Sequence, residues 1–133
     1  MAITQTQEKE TTGKIGERVA ANFLKNHGYE IVCLNFQNAT GRRLGEIDII
    51  ARDIEAQELV FVEVKTRDFQ KYGDTLPEEN ITYSKLYKLQ RISQDYLRKN
   101  NLFDTPHRFD AVSVWLNKKT RMAKVKHLKN IFL

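Results

Sequence analysis

Two short apolar runs carry the residues best placed for chemistry: Gly45-Glu46-Ile47-Asp48-Ile49-Ile50-Ala51 and Leu59-Val60-Phe61-Val62-Glu63-Val64-Lys65-Thr66. Side chains alternate across a strand. Glu46 and Asp48 therefore share one face of the first run, Glu63 and Lys65 one face of the second, and Val60, Val62 and Val64 the other. Paired as a hairpin, the runs bring three carboxylates and one ammonium to one sheet face. Such a group is costly to bury and well suited to a hard cation. Asp48 and Glu63 supply two carboxylate oxygens to Mg²⁺ or Mn²⁺, and the Val64 carbonyl at the strand end a third. Lys65 is placed to orient an attacking water and to stabilise charge developing on phosphorus. These are the parts needed to hydrolyse a phosphodiester. A half-solvated hairpin shows the same alternation, with Lys65 merely offsetting Glu63 and Asp48. Phe61 and Ile50 on the charged face favour a pocket edge, but pattern alone leaves both readings open.

The elements that must position these runs follow from periodicity. Met1 to Thr12 is polar and reads as a flexible tail ahead of a single domain over 13–133. Thr11 or Thr12 caps a helix from about Lys14 to His27, stopped by Gly28, with Ile15, Val19, Phe23, Ala20 and Leu24 as its apolar stripe. Glu17 falls in the first turn, where a carboxylate favours the helix dipole. Tyr29 to Phe36 is β-prone. After a polar loop, Gln37 to Leu44, come the two runs, joined by a connector from Arg52 to Glu58 that lacks a two-residue turn signature. Arg67 to Asn80 reads as a loop. Thr82 or Ser84 caps a second helix to about Lys99, with Leu86, Leu89, Ile92, Tyr96 and Leu97 buried. Arg108 to Leu116 and Met122 to Leu128 alternate as two further strands. The order α-β-β-β-α-β-β predicts an α/β domain: a mixed sheet flanked by helices, the second helix crossing over between strands.

With 133 residues, 41% hydrophobic and 29% charged, the chain can bury one core. It has no apolar run long enough for a membrane helix and no apolar signal core, and its lone Cys33 has no disulfide partner, which fits a cytoplasmic protein. The formal charge is +5, and from Arg108 onward seven Lys and Arg residues face only Asp110. A basic flank beside an acidic pocket suits a polyanion held around a metal. Arg42, Arg43, Arg67 and Lys71, in loops near the strand ends, are candidate contacts to a nucleic-acid backbone. Lys85, Lys88 and Arg91 read first as a solvated helix face, with Lys85 retained as a candidate phosphate contact. His27, His107 and His127 lack ligand spacing, and Trp115 reads as core.

Gly45 to Ala51 followed by Val60 to Arg67, with Gly13-Lys14-Ile15-Gly16-Glu17, Gly28-Tyr29 and Arg108-Phe109-Asp110-Ala111-Val112, resembles the YraN family of small bacterial proteins over nearly the whole chain. That family is similar to restriction-endonuclease-like nucleases with the PD-(D/E)xK signature, including archaeal Holliday-junction resolvases. The resemblance implies a restriction-endonuclease-like fold with a metal-dependent nuclease site. Asp48 matches the signature aspartate, Glu63 the second acid, Lys65 the lysine, and Glu17 a first-helix glutamate that contributes to the site in the junction resolvases. Ile47 stands where the signature has proline, which leaves the chemistry intact. Glu46 is an additional acid to which the pattern gives no role.

The function expected is a Mg²⁺- or Mn²⁺-dependent endonuclease acting on double-stranded or branched DNA. A homodimer is in keeping with the two-fold symmetry of junction substrates. The alternatives are a catalytically silent DNA-binding or adaptor protein that keeps the fold, and an interaction protein that does not bind DNA.

Overall fold

A computed structural model describes residues 10–37, 45–68 and 82–131. Its elements are α1 (Thr12–Lys25), β1 (Tyr29–Gln37), β2 (Glu46–Asp53), β3 (Glu58–Asp68), α2 (Tyr83–Lys99), β4 (His107–Asn117) and β5 (Met122–Leu128). The order is the one predicted, and the five strands form one mixed sheet, β1-β2-β3-β4-β5. Neighbours are antiparallel except β3 and β4, which run parallel from Leu59↔His107 to Asp68↔Leu116. A parallel pair needs a crossover, and α2 is it. Both helices start on the threonine side chains expected. Thr11 accepts from the Lys14 amide and Thr82 from the Lys85 amide, each at 3.2 Å. The basic candidates Arg42, Arg43 and Lys71, most of both expected polar loops and most of the expected tail lie outside the described residues.

Two apolar layers cover the sheet. On one face α1 lays Ala20, Ala21 and Leu24 over Ile49, Ala51, Val60, Val62, Val64, Val112 and Val114. On the other, α2 lays Leu89, Ile92, Tyr96 and Leu97 over Ile47, Ile50, Phe61 and Phe109. Trp115 is buried, as expected, with the Lys124 ammonium 5.5 Å from its ring centre. Two expectations need correction. Arg67 is not in a loop, because β3 must run on to Asp68 to pair with the full length of β4. Nor is Glu17 in the first turn of α1. The helix begins at Thr12, so Glu17 sits in the second turn and faces the sheet end rather than the helix dipole.

Gly16 explains how α1 comes so close to β3. A Cβ at this position would lie 1.8 Å from Thr66 Oγ1 and 2.7 Å from Thr66 Cβ. No side chain fits there, so the helix rests almost backbone-on-strand one residue before Glu17.

At the C-terminal end of β2 the sheet is tied by a buried ionic network. Arg108 donates to Asp53 at 2.8 Å, to Glu58 and Asp110 at 3.1 Å, and to the Tyr29 hydroxyl at 2.8 Å. Asp110 is fully buried, accepts from the Asn130 amide at 2.9 Å and lies 2.8 Å from His127 Nε2. Burial pushes the Asp110 carboxyl up, but His127, Arg108 and Asn130 outweigh it and hold the group below the usual carboxylate range. Each of these charges has a partner.

Two outcomes follow from this packing. Gly16→Ala should cost about 1–3 kcal/mol in urea unfolding, and adding Thr66→Ala should recover part of the loss; an unchanged midpoint for Gly16→Ala would contradict the close approach. Arg108→Ala should cost about 3–5 kcal/mol, because it strands a buried carboxylate. A loss under about 1 kcal/mol would mean that the network is not what ties these strands.

Candidate metal centre

The β2–β3 ladder runs from Asp53↔Glu58 to Ile49↔Val62. Beyond it a side chain takes over: the Val64 amide donates to Asp48 Oδ2 at 2.8 Å. The phase of the strand changes at the same point. Ile47 and Ile50 pack under α2, whereas Ile49 and Ala51 pack under α1, so Asp48 and Ile49 turn to the α1 side in succession. Strand β1 slips in concert. Cys33 and Phe36, which pair with Ile50 and Ile47, also pack under α2, and between them Asn35 adopts a positive φ of 54°. A left-handed residue inside a strand is uncommon, and asparagine is one of the few types that accept it readily. Earlier in β1, the extra residue Val32 bulges between Ile31↔Ala51 and Cys33↔Ile50.

These irregularities gather acids from three elements. Glu17 of α1, Glu46 at the start of β2 and Asp48 each offer a carboxylate oxygen, and the three oxygens lie within 4.8 Å of one another. With its amide oriented so that donor meets acceptor, Asn35 donates to Glu17 Oε1 at 3.1 Å and Glu46 Oε1 at 3.2 Å. Gln37 donates to Glu46 Oε2 at 3.2 Å, and Lys14 lies 3.8 Å from Glu17. Asp48 is only 9% exposed. Burial, then the charge of Glu63, pushes its carboxyl up to about 8; the Val64 amide pulls the other way, and Glu17 and Glu46 add to the rise. Glu17 is raised as well, first by burial and then by Glu46 and Glu63, against Lys14 and a hydrogen bond with Asp48. The donor set is all oxygen, anionic and short of positive charge, which fits a hard divalent cation.

Glu63 and Lys65 occupy the opposite parity of β3 to Val60, Val62 and Val64, as expected, and form an ion pair at 3.1 Å. They turn towards α2, not towards Glu17. The hairpin's charged residues therefore straddle the open end of the sheet rather than sharing one face, because the slip at Asp48 sends the β2 acid to the α1 side. Glu63 still reaches Asp48 electrostatically, and Glu46 spans both halves. With Glu63, Lys85 and Lys88 it lines a cavity of about 220 Å³ between the strand ends and α2. A roomier hollow of about 420 Å³ lies between α1 and the β4–β5 hairpin, and none of the candidate site residues lines it.

Lys85, on the lining of this cavity, lies near Lys65. Burial lowers Lys65, but the attraction of the Glu63 and Asp48 carboxylates outweighs it, so Lys65 is raised above the usual lysine value. The neighbouring Lys65, then burial, lowers Lys85. Reading the sequence missed Asn35 altogether. The available signal was a single amide inside the apolar run Leu34-Asn35-Phe36. It also left Glu46 without a role, and the structure sets it beside Glu17 and Asp48.

Residues 16–114 match the profile of the uncharacterised protein family UPF0102. A UPF0102 protein of Acetivibrio thermocellus is 43% identical over 133 residues, spanning 98% of this chain and 97% of its own. One from Caldanaerobacter subterraneus subsp. tengcongensis is 39% identical over 125 residues, 93% of this chain and 96% of its own. A third, from Clostridioides difficile, is 38% identical over 120 residues, 90% and 95% respectively. The matched stretch runs from the helix residue beside Glu17, through both strands of the hairpin, into β4, and with relatives this similar over nearly their whole length the chain belongs to the UPF0102 family.

Proposed function

We propose that this protein is a divalent-metal-dependent deoxyribonuclease that hydrolyses phosphodiester bonds of DNA, branched or otherwise structured DNA included. The observation that carries the reading is the gathering of Glu17, Glu46 and Asp48 oxygens beside an ExK pair, Glu63 and Lys65. Glu17, Glu46 and Asp48 would hold Mg²⁺ or Mn²⁺, with Glu63 as the adjoining acid and the Val64 backbone at the same strand end. When bound, the ion neutralises charge on the scissile phosphate and on the leaving oxygen.

The chain's own groups do the rest. The Val64 amide fixes Asp48, and the Asn35 amide holds Glu17 and Glu46 in a common orientation. The Glu63 carboxylate anchors the Lys65 ammonium, whose raised proton affinity keeps it charged and able to orient water and meet the phosphorane. Lys85 and Lys88, across the cavity, would face substrate phosphates. A homodimer acting on paired strands fits this chemistry.

Incubation with Mn²⁺ and linear or four-way DNA tests the activity. Cleavage is expected, reduced about 10²-fold or more in Lys65→Ala. Equal rates for variant and wild type would remove Lys65 from the mechanism. Salt-sensitive binding with no cleavage of any substrate would support the catalytically silent alternative instead.

Metal linkage gives a second check. The folded-state pKa of Asp48 lies above its unfolded value, so the protonated acid is the stabilising form. Without metal, stability falls as pH rises from about 4 and is fully diminished above about 8. Asp48→Asn should therefore be the more stable protein in chelator at alkaline pH, by on the order of 1–3 kcal/mol. It should also lose most of the rise in melting temperature that Mn²⁺ gives the wild type. A variant less stable than wild type under those conditions would show that Asp48 is not a strained, metal-awaiting acid.

A further inference from the structure

Helix α2 buries Leu89, Ile92, Tyr96 and Leu97, yet it leaves two tyrosines in solvent: Tyr83 is 86% exposed and Tyr87 53%. Together with Arg91 they recur every fourth residue, so they form one stripe rising about 6 Å per step along the helix. Arg91 donates to the Tyr87 hydroxyl at 3.3 Å, and its guanidinium lies 5.9 Å from the centre of the Tyr87 ring. From Tyr83 to Gln94 the helix carries Lys85, Lys88 and Arg91 and no acid; its one carboxylate, Asp95, pairs with Arg98. Lys88, next to Tyr87 in sequence, also lines the cavity that holds Glu46 and Glu63, so the basic side of the helix leads from the stripe towards the candidate site. Exposed single aromatics are ordinary. Two in register, with Arg91 on the next turn and Lys88 beside them, make a stacking platform on the basic side of the helix.

We propose that this side of α2 seats an unpaired, single-stranded segment of DNA, its bases stacked on Tyr87 and Tyr83 and its phosphates facing Arg91 and Lys88. The proposal rests on the nuclease reading and narrows it: the substrate is DNA in which single strand adjoins duplex. Paired bases are already stacked inside a duplex and offer no face to a tyrosine, so an intact duplex would use the cations alone. An unpaired base offers its whole π-face whatever its identity, which makes such a platform tolerant of sequence.

Equilibrium binding, with Ca²⁺ in place of Mg²⁺ to avoid turnover, tests this. The probes are a blunt duplex and the same duplex with a single-stranded tail carrying a fluorescent aminopurine. The wild type should bind the tailed DNA about tenfold or more tightly than the blunt one and quench the aminopurine. Tyr83→Leu with Tyr87→Leu should lose that preference and the quenching but keep its blunt-duplex affinity and melting temperature. The corresponding Phe pair, which keeps both rings, should retain them. Equal affinity of the wild type for both probes, or quenching that survives in the Leu pair, overturns the platform while leaving a metal-dependent nuclease in place. Failure to bind either probe overturns the nuclease reading with it.

Discussion

A single hydrogen bond, from the Val64 amide to the Asp48 carboxylate, decides the shape of the working end of this molecule. In a regular antiparallel ladder that amide would meet a backbone carbonyl. Here a side chain answers it, so β2 and β3 can part while no donor is left unsatisfied. The same bond holds a nearly buried carboxylate among three other acids. One amide cannot offset that repulsion together with the loss of water, and Asp48 takes up a proton far more readily than a free aspartate.

Everything nearby serves to keep that end in place. Asn35 accepts the left-handed backbone that lets β1 follow the slip in β2, and its amide then clasps Glu17 and Glu46. Gly16 lets α1 approach β3 closely enough for Glu17 to reach the sheet end. A larger residue at either position would leave the acids present but scattered. The left-handed backbone at Asn35 thus lies where three elements meet.

Much of this was legible from residue order alone. Threonine caps, helical stripes, the Asp48–Glu63 hairpin and the parallel crossover all rest on local signals, and each is present. The face on which Asp48 lies was not legible, because parity counting assumes an unbroken strand. The break depends on a register slip shared by β1 and β2, a property of pairs of residues far apart in sequence. Arg67 was misread as loop for a related reason: the length of β3 is set by β4, its partner nearly fifty residues on. Glu46 had no evident role until α1 was seen to bring Glu17 beside it.

The two ends of β2 make the strongest argument for function. At one end Asp53, with Asp110 and Glu58, meets the Arg108 guanidinium, and both aspartates are held below the usual carboxylate range. At the other, Asp48 shares its surroundings with Glu17, Glu46 and Glu63, and the Lys65 ammonium close by is engaged by Glu63. The fold is evidently able to neutralise buried acid with a buried cation, and does so five residues away on the same strand. A structural role for Asp48 would be met the same way. Gathering these acids without a paired cation lowers stability, and a cluster that could hold a metal ion is the arrangement for which that cost makes physical sense.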